Sequence, residues 1–187
     1  MSKSETIQKQ VYENHLHPTE ARWFAVHTRS KSEKVVQKQL TSKNVTVFLP
    51  LQKLVRKWDR KVRHVELPLI SCYVFVKIVK SEYIKVLETD NVAGFVRFSK
   101  NLLSIPDKEI EIVKRIVAED IKVEVTPTAL KKGEIVEIAW GRLTGIKGKL
   151  VAIEGKHSVL VDLENIGYSL QISIDPAWLQ KPSGTNK

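Results

Sequence analysis

The densest apolar run in the chain spans positions 67–78, where β-branched and aromatic residues dominate. Such residues lose rotamer freedom in a helix and fit a pleated surface. Positions 70–78 are therefore predicted as a central strand, with Pro68 near its start, where a strand tolerates proline. A period of two puts Tyr73, Phe75 and Lys77 on one face and Cys72, Val74, Val76 and Ile78 on the other. The second face is purely apolar and belongs on a core. The first carries two aromatics and a lysine, and is predicted to stay partly open as a binding surface.

Around this strand the pattern changes period several times. Positions 22–28 read as a strand, with Trp23 and Ala25 on one side and Phe24 and Val26 on the other. A helix is predicted from Ser30, because Ser30 and Glu33 have capping-box spacing. Val35, Val36 and Leu40 form its predicted buried side, and Lys31, Lys34 and Lys38 an outward stripe. A short strand follows at 45–50. Positions 53–64 hold six basic residues and Trp58, and read either as a twisted hairpin or as a mobile loop. Ser81 is a candidate N-cap for a short helix carrying Ile84, Val86 and Leu87, and 95–98 reads as another strand. Pro106-Asp107 opens a helix over 107–119, with Ile110, Val113 and Val117 inward. Strands with helices packed on them make an α+β sandwich.

Beyond it the texture shifts. Positions 122–130 contain Pro127 and no period, and read as a linker. Short alternating strands at 134–139, 149–154, 158–163 and 168–173 follow, punctuated by glycines, with a last piece ending at Leu179. Five short strands in so few residues predict a small β-barrel. The predicted organisation is a tail over 1–21, a sandwich domain over 22–121, a linker over 122–130, a barrel over 131–181 and a tail over 182–187. His15 and His17 lie in the first tail and make a poor metal site, with no cysteine nearby.

Charge sharpens this picture. The net charge is +10, and positions 22–64 hold twelve Lys/Arg against Glu33 and Asp59, also a balance of +10. From Pro127 onward the balance is eight against six. A basic field confined to one region points to an acidic partner, most often nucleic acid. The alternative is an ordinary solvated face. Arg29, Lys31, Lys34 and Lys38 could lie along phosphates, and Arg56, Lys57, Trp58 and Arg60 combine cations with a ring that can stack on a base.

The one cysteine allows no internal disulfide, and no apolar run approaches a membrane span, so a cytoplasmic protein without membrane contact is expected. The spacing of Gly141, Gly145 and Gly148 does not match a dinucleotide fingerprint. There is no P-loop, HExxH or paired cysteine, and no clustered acids for a nuclease metal. No catalytic residues, no metal and no cofactor are expected.

The same residues carry a family resemblance. Positions 22–28 (RWFAVHT) resemble the opening strand of NusG-type transcription elongation factors, and Phe48-Leu49-Pro50 their F-x-P step. Positions 67–76 (LPLISCYVFV) look like their P-L-F-P-G-Y-V-F-V strand, 94–98 (GFVRF) their G-F-V-R-F, and 105–107 the step into their last helix. Positions 136–151 resemble the KOW motif of their C-terminal barrel. The resemblance implies a NusG-like N-terminal sandwich followed by an SH3-like barrel. It also implies binding to the clamp helices of RNA polymerase through His27, Ile70, Tyr73, Phe75 and Val96. Contact with non-template DNA or nascent RNA is implied as well, as is recruitment of a second factor by the barrel, a ribosomal protein among the candidates, by a monomer. Ser71-Cys72 in place of Pro-Gly, Ile70 in place of an aromatic, and the basic 53–64 segment look more like an operon-specific antiterminator paralog of the UpxY or RfaH kind. The alternative reading is an RNA-binding or ribosome-associated KOW protein.

Overall fold

The computed structural model describes residues 12–182 apart from 59, 60, 120, 122, 128–132, 140, 154, 155, 164 and 165. Strands β1 (Arg22–Thr28), β2 (Thr46–Phe48), β5 (Tyr73–Ile78) and β6 (Val92–Phe95) form an antiparallel sheet in the order β2-β5-β1-β6. β3 (Leu51–Trp58) and β4 (Lys61–Pro68) pair with each other in a separate two-stranded ribbon. Helix α1 (Glu33–Ser42) and the short α2 (Tyr83–Leu87) cover one face of the four-stranded sheet. There Phe24, Val26, Val74, Val76 and Ile78 meet Val36, Leu40 and Val86. The longer α3 (Asp107–Val117) packs Ile110, Val113 and Ile116 on the other face, against Trp23, Ala25, Tyr73 and Phe75.

The second unit is a six-stranded antiparallel sheet in the order β12-β8-β9-β10-β11-β7. Its strands are β7 (Val123–Pro127), β8 (Ile135–Ile138), β9 (Lys147–Ile153), β10 (Lys156–Leu163), β11 (Tyr168–Ser173) and β12 (Leu179–Gln180). The architecture is the expected one, a sandwich followed by a barrel, but several boundaries moved. β7 lies within the predicted linker and pairs with β11 along five residues, from Val123–Ile172 to Pro127–Tyr168. Only five positions, 118–122, separate α3 from it. The apolar run 67–78 is not one strand. β4 ends at Pro68, a turn intervenes, and β5 begins at Tyr73. That turn places Cys72 at φ 63, a left-handed backbone that glycine adopts freely and other residues only at a cost. The basic segment resolves as the hairpin rather than the loop.

Helix phases moved too. α1 begins at Glu33, and the predicted capping box does not form: Ser32 is the N-cap and makes no side-chain cap. Glu33 instead turns inward, its carboxylate accepting the Cys72 backbone N–H at 2.7 Å. Burying Glu33 rotates Val35 outward, where it is 49% exposed, against expectation. Ile84 is likewise exposed, and Ile116 rather than Val117 is fully buried on α3. The start of α2 also differs, with Ser81 inside a 3-10 turn over Lys80–Glu82.

Of the predicted tail, residues 12–17 are tied to the sandwich. The amide of His15 donates to the Leu102 carbonyl and that of Leu102 to the Glu13 carbonyl. The His15 ring sits between Ser104 and Glu13, with Nδ1 accepting the Ser104 N–H at 3.0 Å and Nε2 2.6 Å from Glu13. A serine, a histidine and a glutamate in a row suggest a proton relay. Here Nδ1 already accepts a backbone amide and is not free to take a hydroxyl proton, so the trio is a structural tie.

Candidate functional site

Period two along β1 and β5 sets Trp23, Ala25 and His27 beside Lys77, Phe75 and Tyr73 on one face, because the strands pair in that register. Phe48 on β2 joins through its pairing with Phe75, the two rings stacked at 6.1 Å. His27 and Tyr73 are 4.4 Å apart between ring centroids. Ile70, in the turn before β5, and Val96, just after β6, pack into the same cluster. His27, Ile70, Tyr73, Phe75 and Val96, drawn from three stretches of the chain, thus gather on one face.

That face was expected to be partly open, and it is not. Phe75 is 0%, Ile70 2% and Tyr73 7% exposed. Residues of α3 and of the barrel pack over it. Tyr168 on β11 meets Tyr73 edge-on, with ring centroids 5.5 Å apart. Gln52 Nε2 donates to the Val123 carbonyl at 3.3 Å, tying the hairpin root to β7. Gly167 lies so near Phe98 that an added Cβ would reach its ring at 3.2 Å. Apolar residues of the sandwich face and of the barrel interior form one continuous cluster. Period two placed Tyr73 and Phe75 on one face but read that face as open, because the element lying over it leaves no mark in the strand's own pattern.

Burial pushes the Tyr73 phenol well above the ordinary tyrosine value near 10, and the Tyr168 hydroxyl beside it adds to the rise. A raised folded value favours the neutral ring. Its contribution to stability is full below pH 10 and fades as pH climbs through the folded value. In an alkaline titration followed by tyrosinate absorbance, Tyr73 should ionise well above the ordinary tyrosine value. Ionisation of Tyr73 at the ordinary value would mean that the cover is absent in solution.

The basic residues group elsewhere. Lys34 and Lys38 are exposed on α1, which packs on the opposite side of the sheet from Tyr73 and Phe75. Arg29 and Lys31 are exposed in the turn ahead of α1, and Lys31 adopts φ 60, so it is not part of a helical stripe. Lys34 lies 3.9 Å from Glu66 on β4, and a groove of about 500 Å³ between α1 and the hairpin is lined by Lys34, Lys53, His64, Val65 and Glu66. Arg56, Lys57 and Trp58 belong to β3, but their side chains, and Arg60 altogether, lie outside the described residues. Among the described residues no group of three His, Cys, Asp or Glu could hold a metal, and no helix is long and apolar enough to cross a membrane.

Residues 21–114 match the family model described as "Transcription termination factor nusG". The chain belongs to the NusG family. Among curated relatives, the transcription termination/antitermination protein NusG of Staphylococcus carnosus is 28% identical over 172 residues, covering 82% of this chain and 93% of that protein. That of Streptococcus pyogenes serotype M3 is 28% identical over 144 residues, covering 71% and 80%. A solved structure, "Domain interaction in Thermotoga maritima NusG", shares the fold at a TM-score of 0.55 and 20% identity, covering 86% of this chain and 97% of that one.

Within this NusG fold, three participants escaped the sequence reading. Tyr168 and Arg115 both bridge the two domains, and the buried Glu33 holds the turn ahead of β5. Tyr168 opens an ordinary alternating strand and Arg115 lies among the polar residues of an amphipathic helix, so neither carried a signal of its own. The Ser30–Glu33 spacing did carry a signal, for a local contact that tertiary structure replaced.

Proposed function

We propose that the protein is a transcription elongation and antitermination factor that binds the clamp helices of RNA polymerase through the His27, Ile70, Tyr73, Phe75 and Val96 face. The observation that carries this reading is the gathering of these five residues on one sheet face, covered by a separate domain on a short tether. An apolar surface of this kind is a competent protein interface once uncovered. Binding then requires the barrel to swing away. The basic groove between α1 and the hairpin, on the other side of the sheet, remains available for the non-template strand or nascent RNA, with Arg29, Lys31, Lys34 and Lys38 on phosphates. In the same reading Arg56, Lys57, Trp58 and Arg60 supply further cations for phosphates and a ring for base stacking. The freed barrel recruits a second factor.

We also infer a specialised, operon-specific paralog. Its support is Cys72, a side chain held at φ 63 where the family's usual Pro-Gly supplies a glycine, together with the basic hairpin.

Polymerase capture tests the face. Immobilised core RNA polymerase should retain the full chain. His27→Glu with Val96→Glu, both half-buried at the rim of the face, should reduce retention about tenfold or more while the melting temperature stays within a few degrees. A folded double variant retained as well as the parent overturns this assignment.

A further inference from the structure

The root of the hairpin, the end of α3 and the start of β7 enclose a cavity of about 340 Å³, within the size range of small-molecule sites. Its floor is aliphatic: Leu69, Ile116, Ile121 and Val123 line it, and all four belong to or pack against the core shared by the two domains. Walls of this kind gain contacts from an apolar occupant and no hydrogen bonds from water. The cations stand at the wet end. Lys53 and His64 line the same cavity and are exposed. The ribbon register, Lys53 opposite Glu66 and Val55 opposite His64, puts them on one face as diagonal neighbours. Among the described residues neither has an ion-pair partner, since Glu66 is turned to Lys34 at 3.9 Å. Glu119, the one acid among the described lining residues, lies 3.8 Å from Arg142 Nε. α3 ends at Val117, and the carbonyls of its last turn disfavour an anion on that side of the cavity.

We propose that this cavity binds an amphiphilic carboxylate with a medium-length alkyl chain, its head group on Lys53 and His64 and its chain along the aliphatic floor. The Lys53 ammonium supplies a charged donor and the His64 ring a second one, for the two carboxylate oxygens. A nucleotide or sugar phosphate matches the cations but sets a polar body against Leu69 and Val123, where its groups lose water without finding partners. An uncharged alkyl chain matches the floor alone. None of the five residues of the Tyr73 face is among the described lining residues, and the site does not rest on the polymerase-binding reading.

Calorimetric titration of the full chain with decanoate, below its micelle-forming concentration, tests the site. Binding should saturate at one decanoate per chain. Octanoate, shorter by two methylenes, should bind about fifteenfold more weakly, from roughly fourfold per buried methylene. Lys53→Met should weaken decanoate about fivefold, the upper range for an exposed charge pair, and leave decanol unchanged. Val55→Trp, at an exposed position on the cavity wall, should block decanoate and decanol alike while the melting temperature stays within a few degrees. Absence of saturable binding, indifference to chain length, or equal binding by the parent and a folded Val55→Trp chain overturns the proposal. Decanol binding as tightly as decanoate overturns the assignment of the head group to Lys53 and His64.

Discussion

Phe75→Ala should cost about 3–5 kcal/mol of unfolding free energy, the range for truncating a fully buried phenylalanine. The ring is wholly inaccessible, stacked on Phe48, paired across the sheet with Ala25 and roofed by the apolar side of α3. Elements this well packed cannot collapse into the vacated space without shifting the helix. The loss is a large share of the 5–15 kcal/mol typical of a whole domain. Phe75→Leu, which keeps most of the volume, should cost far less. Urea unfolding at 25 °C measures both. A cost below about 1.5 kcal/mol for the alanine variant would mean that the face is open in solution.

Gly148→Ala should destabilise the barrel by about 3 kcal/mol, at or above the upper end of ordinary overpacking, because backbone is among the obstacles. A Cβ at this position in β9 would come within 2.6 Å of both the Leu160 carbonyl oxygen and Val159 Cγ1 on β10. A carbonyl held in a ladder cannot step aside as a flexible side chain can. Hydrogen exchange resolves the effect by segment: amides of β9 and β10 should lose protection while those of β1 and β5 keep theirs. Uniform loss across both units would show that the sandwich cannot stand without its cover. Unchanged protection in β9 would contradict the strand contact itself.

The sandwich was legible from sequence wherever burial follows from period alone. The division of β5 and of β1 into two faces and the inward positions Ile110 and Val113 of α3 came directly from apolar spacing. What period could not supply is the identity of the covering element. Tyr73 and Phe75 look the same in sequence whether they face water, a helix or another domain. The helix phase at α1 failed for a related reason. Glu33 is a good capping residue locally, yet the unpaired amide of Cys72 in a left-handed turn competes for its carboxylate, and the long-range partner wins. β7 was missed because Pro127 and the uncertain period of 122–130 hide a strand whose partner, β11, lies some 40 residues on. The grouping of the five face residues was legible only through the family resemblance, and Arg115 and Tyr168 through neither route.

The pairing of β7 with β11 also decides where the molecule can be cut. A fragment beginning at 131, the boundary suggested by composition, would leave behind a strand that the barrel uses and bare the flank of β11 from Tyr168 to Ile172. Unpaired backbone along such a flank recruits other chains and favours aggregation. A recombinant barrel intended for partner screening should therefore start no later than Val123, and a protease cleaving within 118–122 should release a soluble C-terminal piece where one cleaving after 127 should not.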